Sequence, residues 1–190
     1  MPSPLAHSLA GLLLVQGARR SGLQDVPSLG MMAFATIAAD LDFIPGILVG
    51  NPDWLHHRGS HSLLAAALFA IVAGVVAHVR GGRHARMFGV MLAAAYASHL
   101  LLDMMATEGR PRYGVPLFWP LPLYVNAPIN LFLPIEREAG GATNFIASLL
   151  SWHNWHALVR EVLVMGSAFV ATYLAGVAVS FSRQRKAGSR

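Results

Sequence analysis

The sequence predicts an all-α, polytopic membrane protein for three reasons: it is strongly apolar, it carries few charges, and its apolar residues form long runs. Hydrophobic residues make up 55% of the 190 residues, charged residues make up 12%, and the mean hydropathy is +0.51. Soluble domains carry about twice that charged fraction. We therefore expect one membrane-embedded domain over residues 1–182, followed by a basic cytoplasmic tail over residues 183–190.

The expected helices follow from the apolar runs in chain order. A hydrocarbon core about 30 Å thick needs roughly 20 residues of helix. The first run is short and ends at Arg19 and Arg20, and the second ends where Pro45 and Gly46 interrupt the helical pattern. The third run ends in a basic loop, from which the fourth begins, and the fifth precedes the basic tail. The five spanning helices are expected at residues 4–18, 28–44, 60–79, 87–106 and 158–181.

The segment between the fourth and fifth helices has a different composition. Prolines at positions 111, 116, 120 and 122 exclude a regular spanning helix there. Its aromatic residues, among them Tyr113 and Trp119, favour the headgroup level of a bilayer. We expect an interfacial or re-entrant segment; a disordered loop is the alternative.

The basic residues predict the topology. They follow the first helix, connect the third to the fourth, and follow the fifth. If successive helices cross the membrane in opposite directions, this threading puts all of these basic ends on one side. The positive-inside rule makes that side cytoplasmic and the N-terminus external. The net charge of +5 does not indicate nucleic-acid binding, because no basic stripe is interleaved with aromatic residues. A cleavable signal peptide is not expected, since no Lys or Arg precedes the first apolar run.

The same threading brings polar residues together at the external ends of four helices. His99 and Asp103 are four residues apart and share one helix face, and His57 and His61 have the same spacing. Ionisable side chains within apolar helices are energetically unfavourable and usually functional. For His99 and Asp103, a hydrogen bond that locks helix packing is the alternative. The external set is His7, Asp40, Asp42, His56, His57, His61, His99 and Asp103.

This set predicts a metal site built from nitrogen and oxygen ligands, since the chain has no Cys. Asp40 and Asp42 are one residue apart, so only one of them faces a given metal unless the backbone unwinds. Zinc with His and carboxylate ligands acidifies water for attack on carbonyl or phosphoryl centres. The surplus of ligands allows one to three ions, with Asp103 or Asp42 bridging or a carboxylate acting as base. The predicted metal ligands are His7, Asp40, Asp42, His57, His61, His99 and Asp103.

Three residues are predicted to take part in catalysis: Asp42, Asp103 and Arg58. Arg58 has a guanidinium suited to an anionic group such as a phosphate, and snorkelling to lipid headgroups is its alternative role. Near the fifth helix, His153, His156 and Glu161 either complete a second metal site or belong to an interfacial belt with the neighbouring Trp residues.

Five motifs, in order between residues 4 and 120, resemble the YdjM family of inner-membrane metal-dependent hydrolases, which is described as LexA-regulated or LexA-binding. Arg160-Glu161 before an apolar run also resembles that family's C-terminal helix. The resemblance implies an enzyme class and names no substrate. The motifs are His7-Ser-Leu-Ala-Gly, Ala39-Asp-Leu-Asp-Phe-Ile-Pro, His57-Arg-Gly-Ser-His-Ser-Leu, His99-Leu-Leu-Leu-Asp and Tyr113-Gly-Val-Pro-Leu-Phe-Trp-Pro.

The order of His and Asp is also similar to the ligand pattern of zinc-dependent phospholipase C. On that similarity the ligands are His7, Asp42 or Asp40, His61, His99 and Asp103. That pattern continues with further His ligands and a His-xxx-Glu pair, whose spacing the C-terminal part of this chain does not reproduce.

These observations predict a membrane-embedded, zinc-dependent hydrolase of an ester or phosphodiester, with membrane lipid as partner and a phospholipid among the candidate substrates. A non-catalytic metal-binding or transport protein is the alternative. A transporter needs polar residues along a path through the membrane, whereas these ionisable residues stop at one side. A regulatory protein that binds a transcription factor would need a larger cytoplasmic surface than short loops and a tail.

Overall fold

The computed structural model describes residues 1–23, 25–51, 54–81, 84–106, 114–136 and 142–188. Within these ranges the chain is helical and has no β-strand, so the all-α class is confirmed. Short 3-10 turns at Ala38–Asp42 and Gly59–His61 interrupt the helical pattern. The helices are α1 (Pro4–Arg20), α2 (Leu29–Ile37), α3 (Phe43–Leu48), α4 (Leu63–Val79), α5 (Ala85–Met104), α6 (Ala142–Leu149) and α7 (Trp152–Gly188).

Serine caps fix where α1, α2 and α4 begin. The hydroxyls of Ser3, Ser28 and Ser62 accept backbone N–H groups of the first helical turn, at 3.2, 3.3 and 3.1 Å. Such caps satisfy donors that the helix itself cannot pair. As a result, His7 lies in the first turn of α1 and His61 lies directly before α4.

The second predicted helix leaves α-helical geometry several residues before Pro45. Helix α2 ends at Ile37, the 3-10 turn carries Asp40 and Asp42, and Pro45 lies inside α3. Proline is accepted there because the first turn of a helix does not use its backbone N–H groups. The expected break at Pro45 was therefore wrong by several residues, and the two carboxylates lie in a tight turn between two helices.

Among the described residues, three segments are long and apolar enough to cross a membrane by length and composition: Leu29–Leu48, Ala85–Met104 and Trp152–Val179. Helices α1 and α4 have 17 residues each, at the short end of the spanning range of about 17–25 residues. Large aliphatic side chains on α4 and α7, such as Ile71 and Leu163, are exposed, as lipid contact requires. The membrane character is supported, and the count of five spans remains a prediction.

Helix α5 lies at the centre of the bundle. Residues near its start pack with the end of α1, and residues near its end pack with the start of α1, so these two helices are antiparallel. Helix α4 is also antiparallel to α5, whereas α2 runs parallel to it. Helix α7 runs parallel to α1, because Ser3 contacts Glu161 and Arg20 contacts Thr172. The starts of α1, α4 and α7 therefore share one end of the bundle with the ends of α2 and α5.

Residues 114–136 form an irregular segment at this same end, as the prolines predicted; Pro111 and Tyr113 lie outside the described residues. The backbone of Leu117 accepts the N–H of Leu63 at 2.9 Å, and Met104 accepts that of Ala127 at 2.8 Å. These bonds tie the segment to the start of α4 and the end of α5.

Two helical features were not expected from the sequence. Helix α6 lies within the segment assigned as interfacial, and α7 runs from Trp152 to Gly188 rather than over residues 158–181. The helix thus continues through the basic residues of the tail. Arg and Lys are good helix formers, so the loss of apolar character at residue 182 does not end the helix.

Candidate metal centre

His99, near the end of α5, has one ring nitrogen fixed by the backbone of α2. Its Nδ1 donates a hydrogen bond to the carbonyl oxygen of Thr36 at 2.7 Å. Its Nε2 then faces Asp103 Oδ2 at 3.0 Å, one helical turn further along. Both side chains are fully buried. A His held through one nitrogen presents the other to a ligand in a defined direction, which is the usual arrangement behind a metal-ligating His.

His61 is held in the same way by a carboxylate. Its Nδ1 lies 3.3 Å from Asp42 Oδ2, and its Nε2 lies 3.2 Å from Nε2 of His99. The 3-10 turn that carries His61 is positioned by Tyr96, whose hydroxyl donates to the carbonyl of Ser60 at 2.6 Å. Two imidazoles from different helices therefore point their Nε2 atoms at one place.

Four atoms surround that place, and we refer to them as the cage: Nε2 of His61, Nε2 of His99, Oδ1 of Asp40 and Oδ2 of Asp103. Asp40 Oδ1 lies 3.5 Å from each imidazole nitrogen, and Asp103 Oδ2 lies 3.5 Å from His61. In tetrahedral coordination with bonds of about 2.0–2.1 Å, ligand atoms lie about 3.3–3.4 Å apart. Five of the six edges of the cage, all except the one between Asp40 and Asp103, are 3.0 to 3.5 Å long and so lie near this spacing.

The hydrogen bonding around the cage is incomplete within the described part of the chain. Both carboxylate oxygens of Asp40, both of Asp103 and both ring nitrogens of His7 are buried without a hydrogen-bond partner. A buried polar atom that lacks a partner is destabilising by about 1–3 kcal/mol, and by more when it is charged. A divalent cation would satisfy these atoms together, so the residues present fit a metal ion.

The charge balance leads to the same conclusion. Burial alone lowers the pKa of His61, but the carboxylates of Asp40 and Asp42 outweigh this effect and raise the pKa to about 10. Without a bound cation, a proton on His61 therefore offsets part of the negative charge. A divalent ion in the cage would replace that proton.

Asp42 lies behind the cage. Its Oδ1 lies 2.9 Å from Nδ1 of His56, and its Oδ2 accepts the hydroxyl of Ser60 at 2.5 Å. His56 in turn stacks on Phe43, with ring centroids 3.7 Å apart. The structure thus separates the two carboxylates of the Ala39-Asp-Leu-Asp motif: Asp40 faces the cage, and Asp42 faces the outer nitrogen of His61.

His57 lies at the outer edge of the site, and Arg58 follows it in the chain. His57 is partly exposed, its Nε2 is 3.9 Å from Asp103 Oδ2, and its backbone has a φ of 54°. A positive φ at a residue other than Gly is strained by about 1–3 kcal/mol, and such strain is concentrated at functional sites. Arg58 is exposed to the surroundings.

A model of the YdjM inner membrane protein family matches residues 1–184. The chain belongs to the YdjM family. The expected membership is confirmed, and it now covers nearly the whole chain rather than residues 4–120. Searches of curated proteins and of solved structures return no match.

In this YdjM protein, several His and Asp groups have the mutual distances needed to hold a metal ion. They draw on all seven predicted ligands and on His56, which the sequence left open. Whether a metal binds, and which one, remains a prediction. The groups are His61, His99 and Asp103; His7, Asp40 and His99; His56, His57 and His61; and Asp40, Asp42 and His56.

Three other polar residues of the YdjM chain lie outside these groups. Glu161 is buried and accepts the backbone N–H of Ser3 at 2.6 Å, so it joins α7 to the start of α1. His153 donates to the carbonyl of Pro134 at 2.8 Å, and His156 packs edge-on against Trp152. These contacts give each of the three residues a partner in the fold, and both the interfacial belt and the second metal site remain predictions.

Sequence reasoning did not identify the residues that orient the imidazoles. The carbonyl of Thr36, the hydroxyl of Ser60 and the phenol of Tyr96 hold the cage but carry no metal-ligand chemistry of their own. One signal was available: Thr36 lies one helical turn before Asp40, so it is a polar residue on a related face of an apolar helix.

Proposed function

We propose that this protein is a membrane-embedded, zinc-dependent hydrolase. The observation that carries the proposal is the cage, in which five of the six distances between ligand atoms are 3.0 to 3.5 Å and whose carboxylate oxygens accept no hydrogen bond within the described residues. Imidazole and carboxylate ligands suit zinc, and two His from separate helices supply nitrogen donors with fixed orientation. His61, His99, Asp40 and Asp103 would hold the ion.

Bound zinc would lower the pKa of a coordinated water from about 15.7 towards about 7 and so supply a nucleophile at neutral pH. With four protein ligands in the cage, that water would take a fifth coordination position. The protein's own residues would orient the ligands and the substrate. Asp42 and Thr36 keep His61 and His99 in one tautomer and one orientation. Arg58, exposed beside the strained His57, is placed to bind an anionic group of a substrate.

An ester or phosphodiester of a membrane lipid is the substrate class that the surroundings favour. Phe118, Leu121 and Leu123 of the irregular segment are exposed at the end of the bundle that holds the cage. Leu48 at the end of α3 and Trp54 beyond it are exposed as well. Trp119 connects this surface to the site, because a Cβ atom on Gly59 would lie 3.4 Å from its indole ring. Exposed aromatic and aliphatic side chains are stable at the headgroup level, where a lipid ester also lies.

The orientation of the bundle belongs to the same proposal. Arg19 and Arg20 end α1 and Arg80 follows α4, at the end of the bundle opposite the cage. The positive-inside rule then makes that end cytoplasmic and puts the site near the periplasmic face.

Metal analysis of the purified protein tests the proposal. Wild type is expected to retain about one or more equivalents of zinc, and His99→Ala and Asp103→Asn are expected to lose it. Asp25→Asn is a matched control, because Asp25 is an exposed carboxylate paired with His84 at 3.0 Å, far from the cage. Equally low metal content in all four proteins would overturn the metal assignment.

Activity is tested with the same proteins in detergent. Phospholipid, phosphodiester and carboxylic ester substrates are compared with and without chelator, followed by restoration of zinc. Hydrolysis that disappears with chelator and returns with zinc supports the proposal. Stable metal binding without hydrolysis of any of these substrates would favour the non-catalytic metal-binding protein instead.

A further inference from the structure

His7 is unusual among the buried histidines of the site. It is fully buried in the first turn of α1, and within the described part of the chain neither of its ring nitrogens has a hydrogen-bond partner. Its ring stacks on that of His99, with centroids 3.9 Å apart and an interplanar angle of 24°. Buried imidazoles normally pair at least one nitrogen. Packing alone therefore does not explain a His at this position, since an apolar ring would stack without unpaired polar atoms.

The carboxylate of Asp103 separates His7 from the cage. Its Oδ2 faces the cage, 3.0 Å from Nε2 of His99 and 3.5 Å from Nε2 of His61. Its Oδ1 faces Nε2 of His7 at 3.5 Å. The two oxygens thus face two different sets of nitrogen atoms, and neither oxygen accepts a hydrogen bond from a described residue. A carboxylate in this arrangement is suited to bridging two cations, which in two-metal sites lie about 3.5–4 Å apart.

We infer that the site holds two divalent cations, with Asp103 as the bridge and His7 as the nitrogen ligand of the second ion. Asp40 supplies a further oxygen, because His7, Asp40 and His99 have the mutual distances needed to hold a metal and both Asp40 oxygens are buried without a partner. The first ion is the one in the cage, so the inference rests on the metal binding of the proposed function and extends it.

The charges of the site agree with two ions. Three carboxylates lie here, on Asp40, Asp42 and Asp103, whereas the His residues are neutral when they bind metal. Two divalent ions exceed these three negative charges by one. The remaining positive charge favours an anionic substrate, so a phosphodiester fits the site better than a neutral carboxylic ester.

Reconstitution of metal-free, full-length protein in detergent with Mn²⁺ tests the inference. Bound metal is counted after gel filtration, and electron paramagnetic resonance reports whether two ions are magnetically coupled through a bridge. Wild type is expected to bind about two equivalents with a coupled signal. One equivalent, or two equivalents without coupling, would overturn the inference.

Variants of His7 locate the second ion. His7→Phe keeps a ring against His99 and removes both nitrogens, and His7→Ala removes the ring as well. Each is expected to retain one equivalent with an uncoupled signal, while His84→Ala at the opposite end of the bundle retains two. Two coupled ions in both His7 variants would overturn the role of His7. Gel-filtration elution and circular dichroism identify a variant that fails to fold, and the other His7 variant then decides.

The outcomes separate this inference from the proposed function. If hydrolysis requires metal but wild type holds a single ion, the second site is wrong and the hydrolase proposal stands. If wild type holds two coupled ions but hydrolyses none of the substrates, the second site stands and the hydrolase proposal is wrong.

Discussion

Replacement of Asp42 by Asn tests whether the two carboxylates of the 3-10 turn have different roles, with Asp40 as a metal ligand and Asp42 orienting His61. Asp42 accepts the hydroxyl of Ser60 at 2.5 Å and lies within 2.9 and 3.3 Å of the outer nitrogens of His56 and His61. Asn keeps the shape but loses the charge and one acceptor. Loss of a carboxylate behind a ligating His weakens metal affinity about 10–100-fold, or about 1.4–2.7 kcal/mol. Because two imidazoles depend on Asp42, we expect a value in the upper half of this range.

The assay is competition for zinc between the protein in detergent and a chromophoric chelator. Asp42→Asn is expected to keep its full zinc equivalents at high free zinc and to show a weaker dissociation constant by the stated factor. Asp103→Asn is expected to lose zinc at every concentration tested, and Asp25→Asn to match wild type. Complete loss of zinc in Asp42→Asn would make Asp42 a ligand of the cage. An unchanged affinity would refute the reasoning that Asp42 orients His61.

Further predictions concern the fold and its orientation. Gly114→Ala is expected to lower stability by about 1–3 kcal/mol, since Gly114 has a φ of 110° and a Cβ there would lie 2.9 Å from the carbonyl oxygen of Val125. Gly166→Ala is the control: its Cβ would meet nothing within 4 Å, so it is expected to stabilise α7 slightly. Thermal unfolding measures both variants, and equal losses of stability in Gly114→Ala and Gly166→Ala would contradict this account. Glu161→Ala removes the hydrogen bond to Ser3 and is expected to lower stability by about 1.5–3 kcal/mol while metal content stays unchanged. Loss of metal in this variant would instead place Glu161 in the site. A phosphatase reporter at the C-terminus is expected to be inactive and a fluorescent protein there to be bright; the reverse would move the site to the cytoplasmic face.

Much of the fold could be predicted because its signals are local. A helix that crosses or lines a bilayer is read from consecutive apolar residues, and its ends from Ser caps and basic clusters. The starts of α1 and α4 and the end of α5 accordingly lie within a few residues of their expected positions. The end of α2 did not follow the same logic, because a proline in the first turn of α3 is compatible with helix.

The set of candidate ligands was also accessible to sequence reasoning. A His or Asp in an apolar helix is too unfavourable to be incidental, and alternate threading of the helices brings such residues to one side. The sequence by itself therefore determined the class of protein, the end of the bundle that carries the polar residues, and the nitrogen and oxygen chemistry available there.

Only the tertiary structure decided what each of these residues does. Whether a carboxylate faces Nε2 or Nδ1 of an imidazole depends on side-chain directions set by packing between helices that are distant in sequence. That packing directs the Asp40 carboxylate towards the cage and the Asp42 carboxylate towards the outer nitrogen of His61. It also brings the carbonyl of Thr36 to His99. The same packing presents the two oxygens of Asp103 to different histidines, because His7 comes from α1 and His61 from the 3-10 turn before α4. Spacing along the chain carries no information about these directions, so the roles emerge only when the helices are packed together.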